Sequence, residues 1–199
     1  ISEFSPDIIA ISVLFSNLLD SAHNIAKIAK KINKNIKTIL GGNHISNSLI
    51  DYKFALVDND SNLPNHIVDL EDENFDMAMI GEGEHSIIQL VNALINNNDI
   101  GKIPGLLKKI SNKRYIINPL SRIHDVNVLP RPARYLVNME GYFKIGAFHS
   151  AKSRSKRVLS VMCSRGCPEK CTFCSTPEMW GQNIRWRSTE HIMDEILND

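Results

Sequence analysis

Three short apolar runs, each closing on small residues and each followed by a stretch of different periodicity, constrain this chain more than any other feature. "SPDIIAISVLF" (5–15) leaves a proline and runs apolar from Ile8 to Leu14. "IKTILGG" (36–42) and "FDMAMIGEGE" (75–84) repeat the pattern. The runs are short and do not alternate, which is how strands buried on both faces of a parallel sheet read. Between the first two, Leu18, Ala22, Ile25, Ala29 and Ile32 recur at helical spacing, with lysines among them. After the third, Ser86 precedes Ile87, Leu90, Val91 and Leu94, a second amphipathic helix. Strands alternating with helices imply βαβ units and an α/β, doubly wound (Rossmann-like) sheet. Ligands of such sheets sit at the carboxyl ends of the strands. Those ends carry Ser12, the pair Gly41–Gly42, and Gly81 with Gly83.

The pattern breaks near residue 100. "GLLKKISNKRYIIN" (105–118) reads as a small hairpin around Ser111–Asn112, and the Pro-rich "VLPRPARYL" suits neither a regular helix nor a central strand. The basic run Lys152, Arg154, Lys156 and Arg157 reads as solvated linker. "RVLSVM" (157–162) is then expected as a new strand, and "STEHIMDEIL" (188–197) as a helix with Ser188 as its N-cap. The expected organisation is an α/β domain over 1–100, a connector over 101–156, and the start of a second domain over 157–199. The chain opens at Ile1 without a methionine and stops inside a helical pattern, so an internal fragment of a longer protein is expected. Lys plus Arg number 23 and Asp plus Glu 22, which leaves no field to hold nucleic acid or an anionic membrane. No apolar run approaches the roughly 20 residues of a membrane-spanning helix.

All four cysteines fall in "CSRGCPEKCTFCS" (163–175): Cys163, Cys167, Cys171 and Cys174. Disulfides so close would be strained, and no secretory context supports them. Structural zinc usually pairs two separated knuckles, and here only one exists. Thiolates on a short loop suit an iron–sulfur cluster. Cys167, Cys171 and Cys174 supply three ligands for four irons and leave one corner open for a substrate or cofactor. Cys163 could fill that corner, but its place at the expected strand end favours a plain buried thiol.

"SRGCPEKCTFCS" resembles the cluster loop of radical S-adenosylmethionine enzymes, in which CxxxCxxC follows the first strand of a partial (β/α) barrel. The resemblance implies a [4Fe-4S] cluster on Cys167, Cys171 and Cys174, with S-adenosylmethionine on the open iron and Phe173 beside its adenine. It further implies reductive cleavage of that cofactor to a 5′-deoxyadenosyl radical. Arg185 and Arg187, in "IRWRS", read as exposed charges before a helix, with holding the loop or an anion as the alternative.

Residues 1–100 are similar to the cobalamin-binding domains fused to such enzymes. Ser12 and Leu14 of "SVL", followed after 26 residues (15 through 40) by Gly41–Gly42, resemble the second and third elements of the cobalamin signature. "GEGE", with Gly81 and Gly83, is a weaker match, and "GEGEHS" lacks the last glycine of a dinucleotide fingerprint. The first element, with its cobalt-binding histidine, would lie before Ile1. His44 is expected to have no ligand role, and His23 and His85 to be solvated. The resemblance implies a cobalamin-dependent radical enzyme performing methyl transfer, cyclisation or rearrangement. The alternatives are a methylthiotransferase-like enzyme, disfavoured because residues 1–162 hold no cysteine, and a non-catalytic B12 or iron–sulfur sensor. The implied setting is a reducing cytoplasm with flavodoxin or ferredoxin as electron donor.

Overall fold

In the computed structural model, which describes residues 1–47, 72–111, 114–145 and 157–198, one five-stranded sheet dominates. Its strands are β1 (Ile8–Ser12), β2 (Lys37–Gly41), β3 (Met77–Met79), β4 (Leu106–Ser111) and β5 (Arg114–Ile117), in that spatial order. The first three are parallel, Ile11 facing Leu40 and Leu40 facing Ala78. β4 and β5 run antiparallel to their neighbours. The hairpin expected in the connector is thus the continuation of the first sheet.

The parallel strands bury both faces because side chains alternate along them. Leu40 and Ala78 point to one core with Val13, Ala22, Ala26, Ile45 and Phe75. Ile39, Met77 and Met79 point to the other with Leu90, Ala93 and Leu106. Helix α1 (Leu19–Ile32) covers the first face and helix α2 (Glu84–Ile95) the second, as the doubly wound expectation requires. Each fully buried large apolar side chain, Leu40 or Leu90, contributes about 1.5–3 kcal/mol.

Two expectations need correction. β1 is not buried on both faces. It is an edge strand whose residues are half-buried or exposed, and Leu14 and Phe15 lie in solvent. α1 packs through Ala22, Ala26 and Ala29, whereas Leu18, Ile25 and Ile32 are exposed; the alanines let the helix approach the sheet closely. α2 begins at Glu84, and Ser86 is a buried residue of its first turn. Most of the basic run falls outside the described residues; Arg157 pairs with Glu140 at 2.6 Å and stacks over Phe143.

Beyond the sheet, helix α3 (Met139–Ile145) follows the Pro-rich segment. A two-stranded ribbon, β6 (Ser164–Arg165) against β7 (Arg185–Trp186), then encloses helix α4 (Thr176–Trp180), and helix α5 (Thr189–Asn198) follows. Ser188 caps α5, its Oγ accepting from the His191 N–H at 3.1 Å. The strand expected over 157–162 is absent: among the described residues no strand pairs with that segment, and Val158 and Met162 stand in solvent.

Candidate functional site

The carboxyl ends of β1, β2 and β3 open into one groove of about 340 Å³. Ser12, Gly41, Gly42, Gly81 and Gly83 all line it, so five of the six strand-end residues singled out in the sequence converge. Leu14 does not; it is half-exposed beyond the end of β1. The glycines serve different ends. Gly42 has φ +97°, and a Cβ there would meet the Val13 carbonyl oxygen at 2.6 Å, so that glycine is demanded by the close packing of β1 on β2. At Gly41 a Cβ would meet only the Met79 carbonyl oxygen at 3.6 Å, which leaves its side free for an occupant. Gly81 donates its N–H to Ser46 Oγ at 3.0 Å, pinning the turn after β3.

His44 follows the glycine pair but is buried and does not line the groove, its Nδ1 3.1 Å from Ser16 Oγ. His23 is not solvated as expected. Its Nδ1 lies 2.6 Å from Asp72 Oδ2 and its ring meets Phe75 edge-on at 5.1 Å. Burial pushes the Asp72 carboxyl up, but hydrogen bonds from His23 and Asn74 leave it below its ordinary value. His85 is exposed on α2, as expected.

The cysteine loop, residues 166–184, is tied at its neck by β6 and β7. The Cys167 N–H donates to the Gly181 carbonyl at 3.0 Å. Gly166 has φ +95°, and a Cβ there would collide with the Asn183 carbonyl oxygen at 2.2 Å, so only glycine closes this neck. Inside it Cys167, Cys171 and Cys174 are free thiols, half-buried or exposed, and the Cys174 N–H donates to the Cys171 carbonyl at 3.1 Å. Side-chain and backbone hydrogen bonds from Thr176 hold the Cys174 thiol below its ordinary value. Among the described residues no three Cys, His or carboxylate side chains converge tightly enough to share a single metal ion. A four-iron cube holds its thiolates on separate corners, and three free thiols spread along one closed loop match that donor set. Phe173 is 91 % exposed, on the loop's outside. Cys163 is a further correction: it is exposed rather than a buried thiol, and it lies outside the neck.

Contacts that no short motif announces join loop and groove. Glu82, the first acid of "GEGE", is 1 % exposed and lines the groove. Arg185 grips it with both terminal nitrogens, at 2.5 and 2.9 Å, and donates to the Ile123 and Trp180 carbonyls at 2.5 and 2.6 Å. Arg165 pairs with Glu82 at 3.6 Å, hydrogen-bonds Glu84, and sits 5.0 Å over the Trp180 ring. Burial would raise the Glu84 carboxyl, and the Arg165 hydrogen bond and charge outweigh it, so it stays below its ordinary value. Trp180, at the end of α4, lines the groove as well.

Arg185 is therefore a half-buried ion-pair partner instead of an exposed charge, and so is Arg187. Arg187 lies 2.6 Å from Glu195 Oε2 and donates to the Met162 carbonyl at 2.9 Å, while Arg134 bonds Glu195 Oε1 at 2.6 Å and the Ser160 carbonyl at 2.9 Å. Glu195 is buried, which raises its carboxyl, but the two arginines bring it below its ordinary value. A larger cavity, about 460 Å³, lies beside this pair between α2, the Pro-rich segment and α5; no cysteine lines it.

No family model matches the chain. It is 30 % identical to the cytidylyl-2-hydroxyethylphosphonate methyltransferase of Streptomyces wedmorensis, over 98 % of this chain and 37 % of that protein. It is 31 % identical to an uncharacterized methyltransferase of Pyrococcus horikoshii, with the same coverage of each. Among solved structures, the cobalamin-dependent S-adenosylmethionine radical enzyme OxsB, with aqua-cobalamin and S-adenosylmethionine bound, superposes with a TM-score of 0.66 at 18 % identity, over 98 % of this chain and 23 % of that one. The radical S-adenosylmethionine methyltransferase TsrM from Kitasatospora setae superposes with a TM-score of 0.56 at 18 % identity, over 99 % of this chain and 35 % of that one. At such identity these two likenesses are of fold. The chain spans little more than a third of the length of the curated relatives it matches first. A parallel sheet whose small strand ends share a groove, a CxxxCxxC loop seated against that groove, and methyltransferase relatives across nearly the whole chain together place it in the family of radical S-adenosylmethionine proteins that carry a B12-binding-type domain.

Proposed function

We propose that this chain holds cobalamin at the strand-end groove and a [4Fe-4S] cluster on Cys167, Cys171 and Cys174, as part of an enzyme that transfers a methyl group from S-adenosylmethionine to an unactivated centre. The observation that carries the reading is the shared border of the two sites: Trp180 belongs to the cysteine loop and also lines the groove. When bound, the cluster supplies an electron to S-adenosylmethionine on its open corner, and cobalamin supplies a methyl carrier.

The chain's own residues provide the seats. Ser12 offers a hydroxyl at the groove, and Gly41 leaves open space for the cofactor's nucleotide tail to approach backbone. The lowered Cys174 thiol favours the thiolate that ligation requires. Phe173 stands free to stack on the adenine of S-adenosylmethionine. Residues 163–198, with the cysteine loop between β6 and β7 and helix α5 after it, then belong to the opening unit of the radical-enzyme barrel. Methyl transfer is favoured over cyclisation because two relatives at 30 % identity or more, each matching 98 % of the chain, are methyltransferases. A reducing cytoplasm and a flavodoxin or ferredoxin donor complete the reading; among the described residues no helix is long and apolar enough to cross a membrane.

The test is anaerobic reconstitution of the full-length protein with iron, sulfide and hydroxocobalamin. Four irons and one corrinoid per chain, with 5′-deoxyadenosine or S-adenosylhomocysteine formed under reductant, are expected. Zinc in place of iron, or a colourless protein, overturns the reading.

A further inference from the structure

We infer that Glu82, Arg165 and Arg185 form a positioning clamp that makes the corrin groove and the cysteine loop one mechanical unit, so that filling either site tightens the other. The inference rests on the cofactor reading above and goes beyond it, because none of the three residues is a ligand there.

The geometry is specific. Glu82 lies in the turn between β3 and α2, Glu84 opens α2, and both line the groove. Arg165 and Arg185 are the paired residues of β6 and β7, at the neck from which the cysteine loop hangs. The Arg185 fork spans Glu82, the Ile123 carbonyl and the Trp180 carbonyl together. A lysine could not make these bonds at once, because it presents one compact nitrogen. The side chains of Glu82, Arg165 and Arg185 are 1 %, 7 % and 11 % exposed. Buried ion pairs are seldom the most stable way to fill such a place, since desolvation offsets most of the attraction. What they supply here is a fixed register between two elements 103 positions apart in sequence. The fit is also incomplete: among the described residues Arg165 Nε and Nη1 and Glu84 Oε2 have no hydrogen-bond partner. The clamp therefore has donors and an acceptor still open at the seam between the two sites. An occupant pressing on Trp180 and the 82–84 turn bears directly on the neck of the loop, and such coupling is reciprocal.

The experiment uses the full-length protein, with Glu82→Gln and Arg185→Lys as variants and Glu140→Gln, which breaks the exposed pair with Arg157, as control. Hydrogen–deuterium exchange is read first, on cofactor-free protein. Both variants are expected to speed exchange over residues 166–184 by about tenfold while amides of α1 keep their protection, and the control is expected to change neither. Iron loss to a ferrous chelator is read second, on anaerobically reconstituted protein with and without hydroxocobalamin. Corrinoid is expected to slow that loss about fivefold in the wild type and not at all in the variants. Unchanged exchange over 166–184 overturns the clamp. So does loss of protection throughout the protein in both variants, which would make these residues general stabilisers. Equal iron loss with and without bound corrinoid in the wild type overturns the coupling. If the wild type takes up no hydroxocobalamin, the cofactor reading fails, while the exchange measurement still decides the clamp.

Discussion

At the residue scale, four thiols that look alike in sequence occupy two different settings. Cys167, Cys171 and Cys174 stand inside the loop that β6 and β7 close, and Cys163 stands outside it. Alanine at any of the first three is expected to bring iron after anaerobic reconstitution close to zero, whereas Cys163→Ala is expected to retain the wild-type iron content; iron and labile-sulfide analysis checks this. Gly42→Ala is expected to destabilise by about 1–3 kcal/mol, since it adds both a strained φ and a clash with the Val13 backbone; the urea midpoint measures it. Spacing made the thiols and glycines legible in the sequence, because local chemistry needs them at short, fixed intervals. Glu82 and Arg185 were illegible for the opposite reason. An isolated acid in "GEGE" and an arginine in "IRWRS" carry no mark of a partner 103 residues away.

At the scale of elements, the strands β2 and β3 were legible as unbroken apolar runs, and both helices of the first layer pair as periodic ones. The side that α1 buries was not. Leu18, Ile25 and Ile32 follow the same period as Ala22 and Ala29, and only the close approach to the sheet selects the alanines. The 157–162 segment was read as a strand from its composition, but a strand needs a hydrogen-bonded neighbour, and none of the described residues supplies one. In its place two arginines hold the segment to α5 through Glu195. Glu195→Ala is expected to cost about 3 kcal/mol, because it leaves Arg134 and Arg187 facing a partly buried void; chemical denaturation reports it. The carboxyls of Asp72, Glu84 and Glu195 lie below their ordinary values of 3.8, 4.5 and 4.5 in the folded chain. Their contributions are therefore full above those values and are lost as pH falls through and below them. A melting temperature that is steady down to about pH 5 and declines below about 4.5 is expected, with a shallower decline in Glu195→Gln.

For the molecule as a whole, the groove and the loop are assembled from three strand ends and a ribbon more than 80 positions further along the chain. Gly41→Val is expected to weaken hydroxocobalamin binding by at least about tenfold, measured by equilibrium dialysis, since the branched side chain would occupy the open side of the groove while meeting little of the protein itself. The reversal of direction between β3 and β4 matters to this assembly. A further parallel strand would have needed a crossover and would have started at the opposite rim. The antiparallel hairpin instead returns the chain to the rim where Glu82 lies, and five residues after the hairpin's last bond the Ile123 N–H donates to that same carboxylate at 2.9 Å. Everything from Ile123 to the cysteine loop is consequently moored at both ends to one spot. Like a bight of rope with both ends made fast to a single cleat, it keeps the groove and the cysteine loop at one fixed separation.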